Sequence, residues 1–294
     1  MAQSNGTRAA VTGLVVIVVV VALIASGVGF FRWITTLWVQ PPSAPVVRCE
    51  ALVNGTTADL TQEQARNASI IAGIAAQRGL APRAVSIALT TAFQESGIRN
   101  LDYGDLDSLG MFQQRPSQGW GTAQQVMDPY YSTGKFFDVM VTVDGWQSAD
   151  IGAIAQSVQR SGFPDAYDQH VPQARVLASA LSGQTPAAWS CVVRNPSSPD
   201  PDQLLQALTQ AYGSAIQTES TPATEDQPAS ITVTASTDTN AWSVGAFAQS
   251  WASQTGVSAV LVGQFSWQAS PTVLSGWIGT EESTQSSTTV KITF

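Results

Sequence analysis

Apolar and polar positions follow three different patterns along this 294-residue chain. From Ala9 to Phe31 there is no charge at all, and Val15 to Val21 contains only valine and isoleucine. A helix crosses a bilayer with about 20 apolar residues, so the pattern predicts a transmembrane anchor over 9–31, after a cytoplasmic tail of residues 1–8. A cleaved signal peptide is the other reading, with Ala25-Ser26-Gly27 as its small-residue site, although such signals carry an apolar core of only about 7–15 residues. Trp33 and Trp38 suit an interfacial position. Residues 32–48 then form a juxtamembrane spacer, stiffened by Pro41, Pro42 and Pro45. No second apolar stretch exists to line a transport pathway.

Between Leu60 and Gly183 the period changes to that of helices. Thr61 with Gln64 makes a capping box ahead of Ile70, Ile71 and Ile74. Pro82 and Pro129 each open a helix, Asp150 caps one running toward Gly162, and Pro172–Leu181 is a last helix stopped by Gly183. Asn100–Gly121, rich in Gly, Asp and Ser, reads as a long functional loop. These signals predict an all-α domain over 49–193. Residues 194–229 form a linker containing a helix at about Asp202–Gln217. From 230 to 294 the pattern becomes a small α/β (α+β) module. Its strands are expected at Ile231–Thr234, Val257–Gln264, Thr272–Ile278 and Thr288–Phe294, around a helix at Ala241–Thr255. The aromatic stripe Trp242, Phe247 and Trp251 reads as core in preference to a ligand site.

Charge sharpens this division. The chain carries thirteen basic and twenty-one acidic residues, for a net charge of −8, which excludes a nucleic-acid surface. Up to Arg194 the two signs nearly balance, whereas beyond it eight acids face Lys291 alone. An acidic, weakly charged module of this kind is expected to engage a protein partner. One histidine and two cysteines exclude zinc fingers, iron–sulfur clusters and redox CxxC motifs. No metal or cofactor is expected, and any chemistry falls to carboxylates and hydroxyls. Cys49 and Cys191 bound the helical segment, and a disulfide tying its ends together outside the cell is the economical reading; two buried free thiols are the other.

One carboxylate stands out. With Val85 at zero and 100° per residue, Ala88, Leu89, Ala92 and Phe93 form an apolar stripe; Glu95 falls on its border and Ser96 inside it. Half-desolvation there would raise the Glu95 pKa and suit a general acid, although helix-end glutamates are also ordinary. Thirteen residues later comes Ser108-Leu109-Gly110-Met111-Phe112-Gln113. With these residues the segment 60–185 resembles the soluble lytic transglycosylase and goose-type lysozyme group. That group has Glu-Ser at a helix end and a Gly-Leu-Met-Gln motif close to Gly110–Gln113. Its third motif, Ala-Tyr-Asn-Ala-Gly, is matched only loosely by Ser157-Val158-Gln159-Arg160-Ser161. The stretch from Asp107 to Trp120 is also similar to membrane-anchored, lysozyme-like proteins of actinobacteria.

The resemblance implies a lysozyme-like all-α domain acting on peptidoglycan glycan strands. Glu95 would protonate the bridging oxygen between N-acetylmuramic acid and N-acetylglucosamine, then act as base toward the muramyl 6-hydroxyl. Ser96, Gly110, Met111, Phe112, Gln113, Gln159 and Tyr167 would line the substrate cleft, with Trp120, Tyr130 and Tyr131 as further stacking candidates. Asp102, Asp105 and Asp107 would be the candidates if a hydrolase needed a second carboxylate; loop-turn and capping roles are their other reading. His170 is expected to be structural. The protein as a whole is expected to be a single-pass cell-membrane protein with everything after about residue 32 outside. Its rival is a wall-binding scaffold without turnover.

Overall fold

The computed structural model describes residues 48–160, 166–279 and 286–294. At the start of this region, β1 (Cys49–Val53) and β2 (Thr56–Leu60) form a hairpin. Its two-residue turn is Asn54-Gly55, both at positive φ, the backbone that lets two right-twisted strands meet. β3 (Trp189–Cys191) joins the far side of β1, giving the antiparallel order β2-β1-β3. Cys49 lies opposite Cys191 in this register, and the two are joined by a disulfide across a sequence separation of 142.

This sheet overturns the expectation of an all-α domain: the described fold is mixed α/β, with a second antiparallel sheet beyond it. The strands escaped the helical reading because β1 alternates over only five residues and its second partner lies far along the chain. For β3, cross-strand pairing supplies what local pattern does not announce. No helix among the described residues is long and apolar enough to cross a membrane. The anchor expected over 9–31, with the tail before it and the spacer up to 47, lies outside the described residues.

The helices start where side chains can satisfy their first amide groups. α1 (Gln62–Gln77) begins with the Thr61–Gln64 capping box. α2 (Pro82–Ser96) has proline in its first turn and ends at Gly97. The short α3 (Ala123–Val126) is capped by Thr122, α4 (Pro129–Met140) by Asp128 and α5 (Ile151–Gln159) by Asp150. α6 (Val171–Leu181) follows. α2 packs against α5 and α6, and α4 against α1.

Past β3, α7 (Pro201–Tyr212) is capped by Asp200. The second sheet consists of β4 (Ile216–Thr221), β5 (Ser230–Ala235), β6 (Ala259–Val262), β7 (Phe265–Gln268), β8 (Ile278–Gly279) and β9 (Thr289–Thr293), in the order β4-β5-β9-β6-β7-β8. β4 occupies the end of the expected helix and the polar stretch beyond it, and the strand expected at Val257–Gln264 ends at Val262, turning into β7. Of Thr272–Ile278, only its last residue is strand.

α8 (Asp238–Thr255) lies between this sheet and α1 and is buried on most of its circumference. The contacts are close: a Cβ added at Gly73 of α1 would come within 2.8 Å of the Ala211 Cβ on α7. The Tyr212 hydroxyl is 2.8 Å from the Ser243 Oγ, which itself donates to the Leu181 carbonyl. Trp189 Nε1 donates to Ser250 Oγ and Trp277 Nε1 to the Trp189 carbonyl, each at 3.0 Å. The described residues from Arg48 to Phe294 accordingly form one compact unit, and the aromatic residues of α8 pack into its core.

Candidate functional site: a cleft headed by Glu95

The penultimate residue of α2 is Glu95, placed by the apolar stripe that buries Ala88, Leu89 and Ala92. Its carboxylate is half-buried, and Tyr167, itself 1% exposed, donates its hydroxyl to Glu95 Oε1 at 2.6 Å. Gln159, at the end of α5, also bonds the Glu95 carboxylate. The Gln159 amide is held in turn by donating to the Phe112 carbonyl at 2.6 Å. Burial pushes the Glu95 pKa up; the Tyr167 and Gln159 hydrogen bonds oppose it without cancelling it. Glu95 therefore keeps its proton to higher pH than an exposed glutamate does, as a general acid requires.

A cleft of about 720 Å³ opens in front of it. Glu95, Gln113 and Gln159 line it, as the sequence led us to expect, together with Asp105 and Trp120. Tyr167 reaches the site through its bond to Glu95. The other expected cleft residues support the wall from behind. Ser96 is buried and donates to the Met111 carbonyl at 2.7 Å, while its oxygen accepts from the Arg99 amide at 3.1 Å. That bridge ties the end of α2 to the Gly110–Gln113 segment. Met111 and Phe112 are fully buried, and Phe112 stacks on Phe136 with ring centroids 4.6 Å apart. Gly110 has φ +76°, and a Cβ there would come within 2.5 Å of the Val126 carbonyl oxygen. Only glycine fits without strain, so this position fixes how closely the loop approaches α3. Gln113 then turns toward the cleft, its amide donating to the Gly110 and Tyr103 carbonyls.

The three loop aspartates divide. Asp107 accepts from Arg115 Nε at 2.8 Å and from the Ser117 amide and hydroxyl at 2.7 and 2.9 Å. These partners hold its carboxyl at about 2, and its part is to brace the loop. Asp102 is exposed and does not line the cleft, whereas Asp105 does. Tyr130 packs on the core, and Tyr131 sits beneath Lys135, whose Nζ is 5.9 Å from the ring centre. His170 stacks on Phe93 and bonds the Gln94 side chain at 3.1 Å; burial lowers its pKa. Ser161, the last residue of the loosely matched third motif, lies outside the described residues.

Sequence reading missed the wall that α4 and the turn after it contribute: Lys135, Asp138, Val139 and Thr142 face the cleft. Their spacing of three to four residues was the available signal, since such positions share one helical face. Among the described residues, no group of three His, Cys, Asp or Glu side chains could hold a metal ion. What the site can do is protonate a leaving oxygen from one half-desolvated carboxyl and take a proton back on the same group. The chain matches no protein-family model and no curated protein.

Proposed function

We propose that this protein cleaves the glycan strands of peptidoglycan, with Glu95 as the only acid and base. The supporting observation is the Glu95–Tyr167–Gln159 cluster at the head of a polar cleft large enough for several sugar units. In the first step Glu95 gives its proton to the glycosidic oxygen as the bond from the muramyl C1 breaks. The acetamido oxygen of the same sugar bonds to C1 and carries the positive charge. Glu95, now a carboxylate steadied by the Tyr167 hydroxyl, accepts the proton of the muramyl 6-hydroxyl. That oxygen attacks C1 and displaces the acetamido oxygen, leaving a 1,6-anhydro end and Glu95 protonated again. This route needs no second carboxylate; of the loop aspartates, Asp107 is engaged by Arg115 and Ser117, and Asp105, which lines the cleft, is given no role in it.

The same reading makes 9–31 a membrane anchor and puts the residues beyond it on the wall side. The Cys49–Cys191 disulfide supports this compartment, since such bonds persist where the environment is oxidising. The test uses the full chain in a non-ionic detergent with purified peptidoglycan, and mass spectrometry of the products. Anhydro-muramyl ends from the wild type, absent with Glu95→Gln, are expected. Reducing ends would make the protein a hydrolase. Wall binding without products would favour the scaffold reading. If Glu95→Gln keeps more than about a tenth of the activity, a barrier change under roughly 1.4 kcal/mol, Glu95 is not the acid.

A further inference from the structure

A second cavity, of about 280 Å³, lies near the opposite end of α2 from Glu95. Arg83 and Glu95 are twelve residues apart on that helix, roughly 18 Å at 1.5 Å per residue. Two packed helices build the cavity with matching faces. α2 supplies Arg83 and, three residues on, Ser86; α6 supplies Arg175 and, four residues on, Ser179. Gln184 adds a side-chain amide, and no lining residue is acidic. Neither arginine forms an ion pair among the described residues. The closest acid along the chain, Asp150 beside the lining Ile151, is engaged in capping α5 at the Ala153 amide.

Arg83 is fixed in place: its Nε donates to the Trp146 carbonyl at 2.8 Å. Its Nη2 is buried and has no hydrogen-bond partner. A desolvated guanidinium nitrogen without an acceptor is costly, and in folded proteins such a group commonly marks a place for water or an ion. Two arginines without an ion pair among the described residues thus share one cavity that no acid lines.

We propose that this cavity binds a phosphoryl group. A single guanidinium fork satisfies a carboxylate with two parallel hydrogen bonds. Two guanidinium groups on different helices favour an anion with at least three oxygens to share, and phosphate supplies them; the Ser86 and Ser179 hydroxyls already bond the Pro82 carbonyl and the Thr185 Oγ1. The α2 N-terminus adds to the field, since its cap residue Ala81 offers no side-chain acceptor to the first turn. The ligand is free phosphate or a phosphate ester on a polymer; both present the same group. The site does not depend on the glycan-cleaving reading.

Isothermal titration of the full chain in a non-ionic detergent, at low ionic strength, tests it with inorganic phosphate, a glycerol-phosphate oligomer and acetate as probes. Saturable binding of phosphate or of the oligomer is expected, with acetate at least tenfold weaker. Binding of the oligomer identifies the polymer as source; binding of phosphate alone identifies the free ion. Arg175→Gln, at an exposed position, should weaken binding at least tenfold without moving the thermal midpoint, and Arg175→Lys should fall between. Glu95→Gln should bind as the wild type does, which separates this site from the cleft. Absence of saturable binding to either phosphate probe, equal binding of acetate, or an Arg175→Gln variant that binds normally would overturn the proposal.

Discussion

Opening the Cys49–Cys191 bond should cost this protein a large part of its stability. The two cysteines are each 1% exposed and face each other on β1 and β3, so replacing both by alanine leaves the ladder hydrogen bonds in place. What changes is the unfolded chain, which gains the freedom of a loop whose ends are 142 residues apart. In the chain-entropy model the lost constraint scales as 2.1 + 1.5R ln n cal/mol/K, which for a loop of this length is about 5 kcal/mol at 25 °C. Since net stabilities run from about 5 to 15 kcal/mol, the double variant should be close to marginal. At about 2–4 °C per kcal/mol for a domain of this size, its thermal midpoint should fall by roughly 10–20 °C. Urea titration followed by tryptophan fluorescence, on the oxidised wild type and on Cys49→Ala/Cys191→Ala, reads the difference directly. A loss below about 1 kcal/mol, with the denaturant slope unchanged, would refute the loop-entropy reasoning. Peptide mapping of the protein isolated from cells under non-reducing conditions is a separate check, and free thiols there would remove the support for an oxidising compartment.

Tyr167→Phe removes a hydrogen bond that favours the ionised form of Glu95, while burial continues to favour the protonated form. The pKa should therefore rise further, and the alkaline limb of the pH–rate profile should move to higher pH; a limb that stays put or moves down contradicts the assigned role. Gly110→Ala forces a side chain into left-handed backbone and against the Val126 carbonyl. It should cost about 1–3 kcal/mol and slow cleavage, measured by thermal unfolding and product release, and a variant as stable as the wild type would show that the loop can yield. Ending the chain after Arg194 strips α7 and α8 from α1, exposing the faces around Gly73 and Ile71. Such a fragment should lack a cooperative unfolding transition, and a soluble fragment that unfolds sharply would mean that the segment folds without the second sheet.

The legible parts of this protein were those whose cause is local. A capping box, a proline in the first turn or a capping aspartate acts within four residues, and α1, α2, α4 and α5 begin where those signals stand. Glu95 was visible as a carboxylate at the edge of an apolar stripe, because the helical period alone sets that angle. The Asn54-Gly55 turn was equally local and would have revealed the β1–β2 hairpin, had the dipeptide been weighed as a turn. Only tertiary structure could join β3 to β1, because their hydrogen bonds link residues far apart in the chain and leave no period behind. It also decided which motif residues face the cleft. The resemblance put Met111 and Phe112 on the cleft, but they lie in the core, since the left-handed turn at Gly110 and the packing on Phe136 direct them inward. Tyr167 acquired its meaning from a contact across seventy-two positions. Sequence specifies such a contact only through the whole fold, because the energy that holds it comes from burial shared among elements that local pattern treats separately.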